Sequence, residues 1–104
     1  SRLDLHQIFV GILGTEGETE TRVYFQPPFT IKLKYPCIIY ERSDKKDFFS
    51  DDKKYLGLVK YSVSVVDKNP DSTIPQRIEN LPYTSFSTHF AVDGLNHDIY
   101  TLYY

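Results

Sequence analysis

The run from Leu56 to Asp67 leaves this chain the fewest structural options. Val59, Tyr61, Val63 and Val65 alternate with Lys60, Ser62 and Ser64, a period of two that no helix accommodates. β-Branched and aromatic side chains fill one face and polar ones the other, so the run predicts a strand with one covered face and one wetter face. That arrangement belongs to an antiparallel sheet packed on one side. The other elements must supply its neighbours and its cover.

The N-terminal stretch has the other period. Leu5, Ile8, Phe9, Ile12 and Leu13 recur at i, i+3, i+4, i+7 and i+8, which predicts a helix with one apolar face. Asp4 reads as its N-cap with Gln7 in capping-box position, and Gly14 as its left-handed end. Residues 15–20 carry no large apolar side chain and read as an acidic loop. Arg22 to Gln26 then reads as a short strand halted by Pro27 and Pro28, which cannot join a ladder except at an edge. Ile31 to Tyr35 alternates apolar and basic residues as a further candidate strand, ending at Pro36. Cys37 to Glu41 is almost wholly apolar and reads as a central strand. Residues 43–54 form a charged loop with Phe48 and Phe49 in its middle.

After the long strand, Asn69 to Thr73 reads as a turn, and Thr73-Ile-Pro-Gln76 has the spacing of a helix start with Pro75 in the first turn. Ile74, Ile78 and Leu81 share one face of that short helix, which Pro82 closes. Thr84 to Phe90 alternates again, Asp93-Gly94 signals a tight hairpin turn, and Asp98 to Tyr104 is the closing strand. Strands flanked by helices without regular βαβ alternation predict an α+β fold over a single domain, residues 1–104. Its mainly antiparallel β-sheet carries the N-terminal helix and the second short helix on one face. A chain of 104 residues buries roughly two thirds of its extended surface, enough for one core.

Composition and motifs bound the function. A net charge of −2 argues against a nucleic-acid binder that works by charge. Cys37 is the lone cysteine, so neither an internal disulfide nor a cysteine metal cluster is available, and it reads as a small buried hydrophobe suited to a reducing compartment. No apolar run approaches the ~20 residues of a membrane span, and no basic-then-apolar leader is read. Phosphate loops, dinucleotide fingerprints, nucleophile elbows and zinc helices are all missing from the sequence. His89, His97 and Asp98 lie about one hairpin and are the only grouping from which a small hydrolase or a metal site can be built. A polar hairpin whose His and Asn cap turn carbonyls accounts for them as well. Asp44, Asp47, Asp51 and Asp52 are neutralised by four interleaved lysines, which reads as a solvated loop. At Asp67 to Ser72, Asp71 would repel an anion, leaving a plain capped turn. No enzyme, metal or cofactor is expected.

What remains is stickiness. Nine Tyr and seven Phe are many for this length, and Tyr and Phe favour strands and interfaces. Tyr83, Tyr100, Tyr103 and Tyr104 crowd the last quarter, and a one-sheet domain has two edges that invite pairing. Phe48 and Phe49 either fold back on the core or enter a partner. These six aromatics are the expected partner contacts of a subunit that assembles.

The runs Tyr35-Pro-Cys-Ile-Ile-Tyr40, Tyr61-Ser-Val-Ser-Val-Val-Asp-Lys-Asn-Pro-Asp-Ser72 and Leu95-Asn-His-Asp-Ile-Tyr-Thr-Leu-Tyr-Tyr104, with the charged loop and short helix between them, resemble small neck proteins of long-tailed bacteriophages. The nearest class is the tail terminator, or tail-completion, protein. The resemblance implies a structural virion protein, made in the host cytoplasm and placed in the tail neck. It implies a homohexameric ring that caps the tail tube protein and joins it to the head-tail connector or stopper protein. DNA then passes through an acidic lumen without sequence-specific binding, and Glu16, Glu18, Glu20, Asp51 and Asp52 are the candidates to line it. A head-closure (stopper) protein is the neighbouring reading. An adaptor that binds peptides at a sheet edge is the reading from another class.

Overall fold

The computed structural model describes residues 1–43 and 57–104. Its elements run α1 (Arg2–Leu13), β1 (Val23–Phe25), β2 (Cys37–Arg42), β3 (Lys60–Asp67), α2 (Ile74–Glu79), β4 (Thr84–Val92) and β5 (Leu95–Tyr103). The five strands form one sheet in the order β1-β2-β3-β5-β4. The alternating strand β3 is therefore the centre, and it pairs antiparallel with both β2 and β5. β4 joins β5 antiparallel, while β1 runs parallel to β2. The fold is α+β, and its sheet is mixed through that one parallel pair. Parallel neighbours need a crossover rather than a tight turn, and residues 26–36 supply it.

Register explains the core. Phe25, Tyr40, Val63, Tyr100 and Phe86 stand side by side across the sheet, as do Val23, Ile38 and Val65 one row away. Ile38, Tyr40, Val63 and Val65 are fully buried, and α1 lays Leu5 and Phe9 on them while α2 adds Ile78. The ring of Phe9 meets Tyr40 edge-on with centroids 5.0 Å apart, and Phe25 approaches Tyr40 from β1 at 4.9 Å. Both helices contribute to this one core.

Local corrections to the sequence reading are instructive. The N-cap of α1 is Ser1, with Asp4 as the third helical residue. The Ser1 Oγ donates to the Asp4 carboxylate at 3.0 Å, so Asp4 completes the cap instead of being it. Gly14 does end α1 in the left-handed region, at φ 82°. At α2, Ile74 N–H is held by Ser72 Oγ at 3.3 Å, and Thr73 makes no side-chain cap. Ile31 to Tyr35 is not a strand. The N–H of Lys34 donates to the Tyr24 hydroxyl at 3.3 Å rather than to a ladder carbonyl, and Lys34 Nζ pairs with Glu20. β1 already takes the place beside β2 that this segment would need. At Asp93-Gly94 both residues have positive φ, 54° and 76°, the signature of the tight turn that matches hairpin twist.

Candidate interaction surface

Three surfaces carry the side chains of interest. The first is an apolar groove of about 450 Å³ where α1, the α2–β4 connection and the end of β5 meet. Leu5 and Ile8 of α1, Leu81, Pro82 and Leu102 line its walls, and Tyr83, Tyr103 and Tyr104 stand around it. The connection is pinned: Leu81 N–H donates to Ile78 C=O at 3.0 Å, and Tyr103 N–H donates to Tyr83 C=O at 3.1 Å. Tyr104 N–H reaches Val59 C=O at 2.9 Å, which holds the last residues against the sheet. Tyr83 itself has φ 56° and is 48% exposed. A bulky side chain in the left-handed region is strained. Its lining is mostly apolar, so the groove can take an apolar side chain.

The second is β4. Eight of its nine residues are exposed, and none bears a carboxylate, ammonium or guanidinium. It ends the sheet, so its outer side meets no strand among the described residues. Phe86, Phe90 and Val92 are 51%, 42% and 50% exposed. Of the β4–β5 hairpin, Tyr100 and Leu102 belong to the core cluster.

The third surrounds Tyr40. Its buried hydroxyl accepts from Arg2 Nη1 at 3.0 Å and lies 2.7 Å from His6 Nδ1. A neutral His6 with its proton on Nε2 accepts the hydroxyl proton at Nδ1, and the other tautomer donates to the oxygen's second lone pair. Burial first, and the nearby Arg2 charge second, hold the His6 pKa below its ordinary value, which favours the neutral ring. Burial likewise raises the Tyr40 pKa. The Arg2 guanidinium covers the Phe25 ring at 4.3 Å. These contacts tie α1 to the sheet.

The expected residues distribute unevenly over these surfaces. Tyr83, Tyr103 and Tyr104 converge on the groove, as an interface reading needs. Tyr100 does not: it is 3% exposed and belongs to the core. Its place on the inward face of β5, opposite Val63, decides this. Phe48, Phe49, Asp51 and Asp52 lie outside the described residues. Glu16, Glu18 and Glu20 are exposed on the loop between α1 and β1, and Glu20 is paired with Lys34.

Among the described residues the reactive groups do not gather. His89 Nδ1 and Asp98 Oδ1 are 2.8 Å apart across the hairpin. His97 is Asp98's neighbour in a strand and so points to the opposite face, where it stacks on Phe90 at 4.6 Å. The hydrolase grouping is therefore split between two faces. Among the described residues no cluster of His, Cys, Asp and Glu is placed to hold a metal ion. Cys37 is fully buried, and burial pushes its thiol up to about 12. No helix among the described residues is long and apolar enough to cross a membrane. Comparison with family models, with curated proteins and with solved structures finds no match.

Sequence reasoning missed the groove's walls and β4's exposure. Leu5 read as one residue of the helix's apolar face, and nothing in the sequence reveals that Tyr83 adopts positive φ. The lack of charge from Thr84 to Val92 was visible, and it is the signal by which the bare edge can be found.

Proposed function

We propose that this chain is a structural virion protein, the tail terminator subunit of a long-tailed phage, working as a homohexameric ring between tail tube and head connector. The observation that carries the reading is a surface built for contact: the groove with its tyrosines, beside a sheet that ends in an uncharged edge. Monomeric proteins blunt such edges with lysine, proline or a covering element. This one keeps an edge free of charge and proline and adds exposed aromatics to it. A ring needs a head-to-tail contact between two unlike surfaces, and the groove supplies an apolar half. Glu16 and Glu18, exposed and without an ion pair of the kind Glu20 has among the described residues, suit a lumen that DNA slides past.

Purified chain added to tail tubes that lack it should restore their joining to filled heads. Equal joining with and without the chain would remove the proposal. A head-closure protein would instead act on isolated heads, so the same assay with heads alone separates the two roles. The free β4 edge also favours a second reading, an adaptor that takes an extended peptide by strand addition. That reading requires a chain that binds such peptides and leaves tails unaffected.

A further inference from the structure

We infer that β4 pairs antiparallel with β4 of a second copy, with Phe90 on the twofold axis. This goes beyond the ring: a twofold contact closes on itself and cannot build a head-to-tail ring, so it describes the free protein before it reaches a tail.

The turn sets the geometry. In a two-residue hairpin the flanking residues, Val92 and Leu95, form a hydrogen-bonded pair, and pairs alternate from there. Phe90 opposite His97 is the next such pair, so Val92 and Phe90 spend their main-chain groups on β5. His89 and Ala91, opposite Asp98 and Asn96, turn theirs outward. The regular outer edge is bracketed by the turn at Asp93 and by the register shift between Phe86 and Thr88. That leaves Thr88 to Val92, whose midpoint is Phe90.

A second β4 laid antiparallel on this window pairs all five of its residues only about that midpoint. His89 then exchanges both main-chain bonds with Ala91 of the second copy, and the reverse. Phe90 meets Phe90 in the close, non-hydrogen-bonded pair, and Thr88 faces Val92. The two Phe90 rings fall on the side where each already stacks on His97, making a continuous aromatic row across both copies. No charge opposes a like charge, because the window holds no carboxylate or ammonium. Asp93 falls opposite Ser87. A second copy thus covers the exposed Phe90 and Val92 and leaves no further edge at this end of the sheet.

The purified chain should sediment at about 24 kDa, twice its 12.2 kDa, at tens of micromolar. Ala91→Pro removes an outward N–H that the hairpin does not use, so it should keep its circular dichroism and melting curve while dimer affinity falls at least tenfold. Engineered cysteines fix the register. Phe90→Cys alone should cross-link to itself under mild oxidation, since close pairs suit disulfide geometry. Thr88→Cys and Val92→Cys should each fail alone and cross-link when mixed, with buried Cys37 silent. A monomeric wild type at 100 μM would overturn the inference, as would an Ala91→Pro protein that dimerises undiminished or cross-linking of Thr88→Cys to itself. Loss of the dimer in Ala91→Pro with tail joining intact supports the inference and leaves the ring untouched. Failure to join tails by wild type refutes the ring alone.

Discussion

Replacing Tyr40 by Phe tests how α1 is fastened to the sheet. The substitution keeps the ring, so the contacts with Phe9 at 5.0 Å and Phe25 at 4.9 Å survive and no cavity opens. What goes is a hydroxyl that accepts from Arg2 at 3.0 Å and is hydrogen-bonded to His6 Nδ1 at 2.7 Å. A net hydrogen bond contributes about 1 kcal/mol, somewhat more when one partner is charged, and Arg2 and His6 are both half-buried and so recover part of their loss from water. The expected destabilisation is about 1–2 kcal/mol, or roughly 4–12 °C in melting temperature for a domain of this size. Urea unfolding should show a lower midpoint with an unchanged slope, because the surface exposed on unfolding is the same. The pH dependence adds a sign. His6 has a folded pKa below that of the unfolded chain, so its contribution is complete above about pH 6.5 and is lost as pH falls through its depressed folded value. His6→Gln should flatten that limb. A Tyr40→Phe protein as stable as wild type at pH 7.5 would refute the claim that this hydroxyl holds the helix down.

Other expectations follow from the same structure. Cys37, buried and with its thiol raised to about 12, should resist a thiol reagent at pH 8 in the native chain and react at once in denaturant. Burial, with Asp98 and Glu79 nearby, pushes Tyr100 up to about 12. Its neutral form is thus favoured by folding, and stability should fall as pH rises from about 10 toward 12, read by tyrosinate absorbance alongside the unfolding curve. Tyr83→Asn suits the left-handed backbone better than tyrosine does. Melting should change by no more than about 1 kcal/mol equivalent while tail joining drops severalfold, and joining at the wild-type level would show that this tyrosine is no contact.

The sheet was readable because its signals are local. Alternation from Val59 to Val65 placed β3, the apolar run at Cys37 placed β2, and Asp93-Gly94 placed the hairpin turn. Helix α1 was readable from its stripe, though its cap was read at the third helical residue instead of at Ser1. Ile31 to Tyr35 misled because alternation reports amphipathicity, whereas strand formation also needs an open neighbour, and β1 had taken it. The parallel β1–β2 pair was hidden for a related reason: direction depends on where a crossover lands. The surface was half legible. Tyr83, Tyr103 and Tyr104 come together because the α2–β4 connection docks on the end of β5, a non-local event, while Tyr100 turns inward through its register with Val63.

The central claim is that this polypeptide acts through contacts between copies of itself. Cryo-electron microscopy of completed tails, with the chain located at the head-proximal end, tests it most directly. A closed ring of copies, with the tyrosines of the groove at the subunit boundary, is the predicted map. A density in which the chain stands as a single copy touching no sister subunit would contradict the account.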